Sequence, residues 1–399
     1  MVPSEKPSTD RRSSPRRSKI CFVLHKFDRG GSLRVAAYLA RGFTDAGMDV
    51  ELVLFTEKGE VDAIITDLIG PDIAVRYLGR WLGPRPFDLL RGLPALVRYL
   101  RAAAPDTIIA GANNTALVSA IARRFAGLTN SRLFVKTTNP IASSRHTGVI
   151  KWVRRWTYRK VFADAAGVWT LSPAETDEMR TAFPAFAGLF RDVFNPYVTP
   201  EMFGGGSGPA PDAPPVVLAV GRLTGQKRLE RLIEAFALVR DQAVRLKIFG
   251  EGEQRTELTA LIRRLGLEER ILMPGYAATV ADEYKRASLF VLTSDYEGLP
   301  AVVLEAMAAN CPVLSTDCFP AARAIVQGAE GCDIIEQPDA AAALAAMIDA
   351  HLAYPRPTRL RETAERYSIE SGIASHLAAM RSNELEIAVR RTTSEAPGQ

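Results

Sequence analysis

The chain has little cysteine and histidine, and neither residue type forms a pattern that holds a metal. Only four cysteines and four histidines occur in 399 residues. The cysteines form no CxxC pair, and the histidines show no zinc-binding spacing. All four cysteines stand in apolar runs, which indicates reduced core thiols rather than a disulfide framework and favours a cytoplasmic location. They are Cys21, Cys311, Cys318 and Cys332.

Long apolar runs are missing as well. A membrane-spanning helix needs about 18 consecutive apolar residues, and no run of this chain approaches that length. The basic N-terminal segment is followed by an apolar run of strand length only, at residues 20–24, so a signal peptide is not expected. We expect a cytoplasmic protein, with the inner face of the membrane as its alternative place of action.

Familiar nucleotide-binding fingerprints are absent. There is no Walker A sequence, and the stretch GEGEQR at residues 250–255 has Arg255 where a dinucleotide fingerprint needs its third glycine. No Asp-x-Asp pair occurs, and Asp295 with Glu297 is the nearest analogue. These absences argue against a P-loop NTPase and against a Rossmann dehydrogenase.

Charge is distributed unevenly along the chain. The total of +5 divides into +4 for residues 1–19, +7 for residues 20–195 and −6 for residues 196–399. A basic first half suits an anionic acceptor or an anionic lipid surface, although charge complementarity between the halves or simple solubility explains it equally well. A nucleic-acid partner is not expected, because no nucleic-acid-binding module accompanies the charge.

Short apolar runs alternate with amphipathic stretches, which predicts an α/β fold with parallel sheets and helices on both faces. At 399 residues the chain is too long for one ordinary core. The pattern restarts after residues 204–215, which have the composition of a linker. Strands are expected at residues 20–24, 50–55, 107–110, 133–135, 167–170, 216–220, 246–249, 271–273, 289–292, 313–315 and 333–335. Helices are expected at residues 33–46, 115–125, 229–240, 254–265 and 300–309.

These patterns predict two doubly wound, Rossmann-like domains that face a cleft. The first spans residues 19–195 and the second residues 216–366, with residues 196–215 as the linker. A terminal helix over residues 367–390 is expected to brace the first domain. The tails, residues 1–18 and 391–399, are expected to be disordered.

The most informative stretch is TSDYEGLPAVVLEAMAANCPVLST at residues 293–316. It runs from the end of a buried strand into a helix whose first position suits Pro300. The free N–H groups of that first turn form an anion site suited to a diphosphate. A carboxylate repels phosphate, so Glu297 and Glu305 are expected to bind hydroxyls, one of a sugar and the other of a ribose. Paired acid–base chemistry, as in glycosidases, is the alternative.

Two cations follow the strand at residues 216–220. Arg222 and Lys227 flank a turn that contains glycine, and together they can neutralise a diphosphate leaving group. The alternative is a pair of solvated surface cations. Gly250 lets the backbone approach a nucleobase or ribose, unless it marks an ordinary turn. In the first half, Gly30 and Gly31 permit close approach to a phosphate from the opposite side of the cleft.

The second half resembles the donor-binding domain of retaining GT-B glycosyltransferases, the large glycosyltransferase family 4. The resemblance is carried by VGRLTGQKRLERLIEAF (220–236), IFGEGEQRTEL (248–258) and EGLPAVVLEAMAANCPVLST (297–316), and by FNPY at residues 194–197. It covers residues 194 to about 367, whereas the first half matches only in layout. It implies that a sugar moves from a nucleotide-diphosphate donor to an acceptor with retention at the anomeric carbon.

The resemblance also implies roles for single residues. Glu297, Arg222 and Lys227 would act on the reacting sugar and the diphosphate. The donor-binding residues would be Gly31, Gly250, Tyr276, Gly298, Leu299, Pro300, Ala301 and Glu305. No obligatory metal or other cofactor is expected, and a nucleotide-diphosphate-sugar is the co-substrate.

The chain departs from the family at the end of the strand over residues 133–136. Many members have a sugar-binding histidine there, and this chain has none. Thr138 or Asn139 could bond a sugar hydroxyl instead, with His146 as a further candidate. A lone histidine in a polar loop is more often simply solvated.

A basic stretch, VIKWVRRWTYRKVF at residues 149–162, contains Trp152 and Trp156 among five cations. One interpretation is an interfacial helix that contacts a membrane. The other is a domain helix that buries its tryptophans while its cations face water.

Together these observations predict a retaining glycosyltransferase that acts on a glycolipid or polysaccharide-precursor acceptor, with peripheral contact to an anionic membrane. A nucleotide-sugar 2-epimerase of the same architecture is the enzymatic alternative. A non-catalytic nucleotide-sugar-binding protein is the other, and the missing histidine favours it.

Overall fold

The computed structural model describes residues 16–26, 31–57, 63–79, 85–142, 148–203, 213–354 and 356–394. His146, Gly30, most of the linker and parts of both tails lie outside these ranges. The expectations for those residues stay predictions.

Parallel strands form two sheets in the described part of the chain. The first has the order β3-β2-β1-β4-β5-β6-β7 and the second β10-β9-β8-β11-β12-β13. The strands are β1 (Lys19–Lys26), β2 (Asp49–Thr56), β3 (Ala74–Tyr77), β4 (Thr107–Ala110), β5 (Arg132–Lys136), β6 (Gly167–Thr170), β7 (Phe190–Asp192), β8 (Val216–Val220), β9 (Arg245–Phe249), β10 (Ile271–Gly275), β11 (Leu289–Leu292), β12 (Val313–Thr316) and β13 (Asp333–Ile335).

Helices connect the strands and cover both sheets. They are α1 (Gly31–Asp45), α2 (Ala63–Ile69), α3 (Arg85–Ala103), α4 (Asn113–Phe125), α5 (Gly148–Asp164), α6 (Pro173–Ala182), α7 (Leu229–Phe236), α8 (Arg255–Arg264), α9 (Ala281–Arg286), α10 (Ala301–Ala308), α11 (Ala322–Ile325), α12 (Ala341–Leu352), α13 (Leu360–Ala364) and α14 (Ile369–Ser394).

The doubly wound α/β class is confirmed, and the local differences have simple causes. Two strands, Ala74–Tyr77 and Phe190–Asp192, were not predicted from the sequence. Both are short edge strands in which at most one residue is buried, so neither has the continuous apolar run of a buried strand. The expected helix at residues 229–240 ends at Phe236. The limits of the two domains stay a prediction.

Apolar side chains form three clusters that follow the faces of the sheets. One cluster packs β1, β4 and β5 against the helices on one face of the first sheet, and it includes Phe162. A second packs β8, β9 and β11 against α7, α8 and α12. The third is shared, because it joins Phe22 and Trp169 of the first sheet to Leu218 and Phe290 of the second. The two halves of the molecule therefore meet through a continuous apolar layer.

Two chain segments, residues 194–198 and 367–372, lie side by side. Tyr197 and Val198 both donate from the backbone to the Tyr367 carbonyl, at 3.0 and 2.9 Å. The rings of Phe194 and Tyr367 meet edge to face with centroids 5.3 Å apart. Gly372, in the first turn of α14, lies so close to Pro196 that a Cβ would come within 2.4 Å of its nitrogen. The FNPY segment thus packs directly on the start of the last helix.

The helix α14 runs back over the first sheet. Ile373 contacts α1 at Gly42, and Asn383 contacts β6 at Gly167. The ring of His376 meets that of Trp169 edge to face at 5.1 Å. Among the described helices, none combines the length and the apolar character needed to cross a membrane. The four cysteines are buried and unpaired.

Candidate active site

The candidate residues of the second half meet at one point of the second sheet. Its strand order reverses between β8 and β11, which lie next to each other although β9 and β10 separate them in the chain. Ligands of doubly wound sheets bind beyond the carboxyl ends of the strands at such a point. The turn after β8 carries Arg222 and Lys227, and the turn after β11 carries Glu297. The topology therefore brings the two separate motifs to one edge.

Glu297 and Lys227 form an ion pair there. The Lys227 ammonium donates to Glu297 Oε1 at 2.7 Å, and the Ser294 hydroxyl donates to the same oxygen at 2.8 Å. The two charged side chains are only 16% and 13% exposed. Because the lysine neutralises the carboxylate, a phosphate can lie beside a glutamate that would otherwise repel it.

Backbone and side-chain bonds hold the strand-end turns together around this pair. Asp295 donates from its backbone to the Gln226 carbonyl at 2.9 Å, and the Gln226 amide donates to the Tyr296 carbonyl at 2.7 Å. The Glu297 backbone donates to the carbonyl of Cys318, after β12, at 2.6 Å. Fixed turns of this kind preorganise the groups that they carry.

Arg222 and Asp295 have different surroundings. Arg222 is exposed beside the turn. Asp295, the first member of the nearest Asp-x-Asp analogue, bonds to Arg231 at 2.8 Å and lies 3.6 Å from Arg228. Among the described residues, no group of three or more metal-binding side chains is present. Both Asp295 and Glu297 pair with cations of the protein itself.

The segment after Glu297 contacts the first half of the molecule. A Cβ at Gly298 would lie 2.2 Å from the Thr138 carbonyl oxygen and 2.9 Å from the Leu171 side chain. Only glycine allows the two edges to approach this closely. Leu299 is buried, and α10 begins at Ala301. The expectation that Pro300 opens the helix was wrong by one residue: its ψ of 111° is extended, so it caps the helix.

Glu305 lies deeper than a ribose contact would suggest. Its carboxylate bonds to the guanidinium of Arg34, which belongs to α1, and accepts from the Tyr284 hydroxyl at 3.1 Å. The Glu305 side chain is 3% exposed, whereas that of Arg34 is 30% exposed. Burial and the Glu305 charge raise the pKa of Tyr284 well above its usual value, so this hydroxyl stays a donor. A ribose at Glu305 would have to join or displace one of these partners.

The glycines of the predicted donor site differ in what surrounds them. Gly250 has a φ of +136°, and a Cβ there would lie 1.9 Å from the Gly221 carbonyl oxygen. Packing between two turns therefore explains this glycine without a ligand. Gly31 opens α1 and is exposed, and a Cβ there would meet no atom within 4 Å. Tyr276 follows β10 and is 39% exposed at the same edge of the sheet.

Thr138 and Asn139 are positioned by a residue that the sequence interpretation missed. The Asn113 side chain, at the start of α4, accepts from the Thr138 backbone at 2.9 Å and donates to the Asn139 carbonyl at 2.8 Å. The Asn139 side chain is exposed at this edge. The available signal in the sequence was the pair of adjacent asparagines, Asn113 and Asn114, after the strand predicted at residues 107–110.

The strand β5 ends in a buried lysine, Lys136. Burial lowers the pKa of the Lys136 ammonium to about 7, with the Glu175 carboxylate opposing the shift. Burial also raises the pKa of Glu175. Glu175 accepts from the Leu171 backbone at 2.7 Å and from the Thr137 hydroxyl at 3.1 Å. This carboxylate ties the ends of β5 and β6 together, and its role depends on contacts that no local pattern encodes.

Family comparisons agree with this geometry. A model described as glycosyl transferases group 1 matches residues 206–367. A model described as glycosyl transferase 4-like domain matches residues 30–187. The chain belongs to the glycosyltransferase family that these two models describe. The match therefore extends to the half of the chain in which the sequence resembled the family only in layout.

Solved glycosyltransferase structures share the whole architecture. The lipopolysaccharide outer core galactosyltransferase WaaB, in its apo form, superposes with a TM-score of 0.70 at 21% identity, covering 91% of this chain and 99% of that one. HepE of Anabaena, in complex with UDP-glucose, gives a TM-score of 0.64 at 21% identity and covers 94% of this chain and 99% of that one. At these identities the likeness shows the GT-B fold.

Curated relatives align with this chain over a shorter stretch than the solved structures do. One is the N-acetylgalactosamine-N,N'-diacetylbacillosaminyl-diphospho-undecaprenol 4-alpha-N-acetylgalactosaminyltransferase of Campylobacter jejuni. It is 37% identical over 101 residues, which are 25% of this chain and 27% of the relative. The first relatives matched are covered over 29%, 28% and 34% of their own lengths.

Proposed function

We propose that this glycosyltransferase is a retaining enzyme that moves a sugar from a nucleoside diphosphate sugar to a lipid-linked or polysaccharide-precursor acceptor. The ion pair of Lys227 and Glu297 carries the proposal. It stands at the reversal point of the second sheet, beside the exposed Arg222 and the start of α10. The residue after Glu297, Gly298, lies against Thr138 of the first half.

The chemistry requires opposite charges a short distance apart. When the bond between the anomeric carbon and the phosphate oxygen breaks, negative charge develops on the diphosphate and positive charge on the sugar ring. Arg222 and Lys227 can stabilise the first charge, and the Glu297 carboxylate can bind a sugar hydroxyl through Oε2. Groups fixed in place before the reaction lower the barrier most effectively.

The remaining donor contacts follow from position. The N–H groups at the start of α10 suit a phosphate, and Gly31 has open space for one on the opposite side. Glu305 is proposed to bind the ribose once the donor enters, with Arg34 held beside it. Tyr276 stands where the base would lie.

Uridine is the nucleoside proposed for the donor, and a membrane-linked precursor is the proposed acceptor. HepE is named as a complex with UDP-glucose, and the Campylobacter relative is named for a diphospho-undecaprenol acceptor. Free cysteines are typical of a reducing compartment. We therefore propose action at the cytoplasmic face of a membrane.

A two-stage experiment tests this function. Thermal unfolding is first measured with a panel of nucleoside diphosphate sugars, because a ligand that binds the folded state raises the Tm. The protecting donor, carrying a radiolabelled sugar, is then incubated with extracted lipid acceptors. We expect label in the lipid fraction, with the anomeric configuration of the donor retained in the product.

The alternatives give different products. A 2-epimerase would release free epimerised sugar without an acceptor. A non-catalytic binding protein would be protected by a donor but would transfer nothing to any acceptor fraction. Inversion at the anomeric carbon would contradict the retaining mechanism while leaving the transferase function in place.

A further inference from the structure

The helix α5 has an inward apolar face that anchors it to the first sheet. Val161 and Phe162 are each 1% exposed. The Phe162 ring meets the rings of Phe183 and Phe190 edge to face, at 5.1 and 5.4 Å between centroids. The second half of the helix therefore belongs to the core, and its direction is fixed.

The same helix has a second apolar face that points away from the protein. Trp152 is 66% exposed and Trp156 53% exposed. The interpretation in which both tryptophans are buried was therefore wrong. The residues that share this exposure are Val149, Ile150, Trp152, Val153 and Trp156. Four of them, at positions 149, 152, 153 and 156, have the spacing of a single helix face.

The helix is also rich in cations, of which Arg159 and Lys160 are exposed. The helix contains five of them, Lys151, Arg154, Arg155, Arg159 and Lys160, and its only acidic residue is Asp164 at the end. The Lys160 ammonium lies 5.6 Å from the centre of the Trp156 ring. Tryptophan beside lysine and arginine on an amphipathic helix suits the boundary between acyl chains and anionic headgroups. A second copy of the chain is a poor partner, because its cations would repel these.

The position of the face relates it to the cleft. The strands β5 and β6 are parallel, so α5 begins at the carboxyl edge of the first sheet, on the side of Thr138. All five exposed apolar residues lie in the first nine residues of the helix. A surface that covers them would therefore lie next to the edge at which the two sheets meet.

We propose that the outward face of α5 docks the protein on an anionic membrane, with Trp152 and Trp156 inserted at the headgroup level. Docking would present the open edge of the cleft to an acceptor held in that membrane. This last step rests on the proposed function, whereas the docking itself does not.

Co-sedimentation with lipid vesicles tests the proposal. The full chain is mixed with vesicles of phosphatidylcholine alone, or of phosphatidylcholine with phosphatidylglycerol. We expect binding to the anionic vesicles and a blue shift of tryptophan emission. The double variant Trp152→Ser/Trp156→Ser should bind at least about 10-fold more weakly, since two large apolar side chains no longer insert. Arg159→Glu/Lys160→Glu should also lose binding to the anionic vesicles.

A matched control is available in the second half of the chain. Tyr354 is 67% exposed and Leu238 53% exposed, close to the values of the two tryptophans. The variant Leu238→Ser/Tyr354→Ser should therefore bind vesicles as the native chain does. Equal loss in both double variants, or equal binding by native chain and tryptophan variant, would overturn the proposal. So would a native chain that dimerises through this face without binding vesicles.

Donor binding, measured in the same proteins, separates this proposal from the proposed function. A tryptophan variant that is still protected by the donor against thermal unfolding, but no longer sediments with vesicles, supports docking. Vesicle binding by a native chain that no nucleoside diphosphate sugar protects would contradict the proposed function and leave docking intact.

Discussion

The carboxyl edges of the two sheets face each other, but they are built differently. On the second sheet, the turns after β8, β11 and β12 bond to one another, and the Lys227–Glu297 pair joins two of them within the same half of the chain. On the first sheet, one group that reaches the cleft bonds to the other half, and another is held from within the same half. Arg34 bonds to Glu305 of the other half, and Asn113 holds the turn at Thr138.

This difference suggests a division of labour. The second edge is preorganised, and we infer that it supplies most of the donor contacts. The first edge contributes Arg34, whose position depends on how the two halves meet, and we infer that this group responds to closure of the cleft. The effects of substitutions at the two edges should therefore differ in magnitude and in the kinetic constant that changes.

The largest effect is expected at the preorganised edge. Lys227→Ala should lower kcat by about 10² or more, because a cation that stabilises the leaving diphosphate is lost. Arg222→Ala should lower kcat similarly, and because Arg222 is exposed the Tm of this variant should stay unchanged. Steady-state turnover of the donor and thermal unfolding measure the two quantities. Near-normal turnover in both variants would remove the diphosphate assignment.

The contact between the edges is expected to be sterically strict. Gly298→Ala would place a Cβ 2.2 Å from the Thr138 carbonyl oxygen, so the two edges would have to separate. Overpacking of this kind costs about 1–3 kcal/mol, and we expect kcat/KM to fall about 10-fold or more. Crystallography or small-angle scattering of the variant would detect the wider cleft. Native kcat/KM would mean that this contact is irrelevant to catalysis.

The bond across the cleft can be tested by a double-mutant cycle. Glu305→Gln should mainly raise the donor KM, and Arg34→Lys should do so to a smaller extent because it keeps the charge. The two changes should couple by about 0.5–3 kcal/mol in donor binding, as residues in contact do. Arg41→Ala is the control, since Arg41 lies on the same helix and pairs with Asp45 at the surface.

Two results would count against this coupling. An unchanged KM in Glu305→Gln would argue against a ribose contact. Strictly additive effects of the two changes would show that Arg34 does not act through Glu305.

The packing of α14 on the first sheet should be acid-sensitive. Burial lowers the pKa of His376, packed against Trp169, to about 3, with the Lys136 charge acting in the same direction. Between that value and about 6.5 the unfolded chain binds a proton that the folded chain does not, so stability falls as the pH decreases through this window. The loss should be about 2 kcal/mol at pH 5, from about 1.4 kcal/mol per unit.

Denaturant unfolding at pH 7.5 and at pH 5 measures this loss. The variant His376→Gln should lose less stability than the native chain between the two pH values. An equal loss in both proteins would assign the acid sensitivity to other groups.

The smallest effect is expected at Gly31. Its surroundings are open, so Gly31→Ala should leave the Tm nearly unchanged. If the diphosphate passes over this position, the added methyl group should raise the donor KM a few-fold, because the backbone can no longer approach it. Measurement of the donor KM and of the Tm of this variant tests the prediction. An unchanged KM would place the diphosphate away from Gly31.

Much of the fold could be predicted because its signals are local. Buried parallel strands such as Thr107–Ala110 and Leu289–Leu292 are continuous apolar runs, and their bounds agree with the sequence interpretation. The short edge strands, exemplified by Ala74–Tyr77, lack this signal because water reaches one side of them. Helix ends differed by a few residues, as at Phe236 and Pro300.

The candidate site was predictable only in part. Glu297, Lys227 and Arg222 stand in recognisable motifs, and sheet topology then brings these motifs together. Arg34 gave no such signal, because its partner Glu305 is 271 positions away in the chain. The exposure of Trp152 was equally undecidable, since the helical pattern allowed either face to turn inward.

The sequence by itself determined two repeating α/β patterns, the strand-end turns that carry charge, and the glycines that close approach requires. Each of these depends on neighbouring residues, through backbone sterics and the periodicity of apolar side chains. Only the tertiary structure decided that Lys227 neutralises Glu297, that Glu305 is buried against Arg34, and that α5 presents its tryptophans to solvent. These features depend on which surfaces meet across the fold, and the spacing of residues along the chain does not encode that choice.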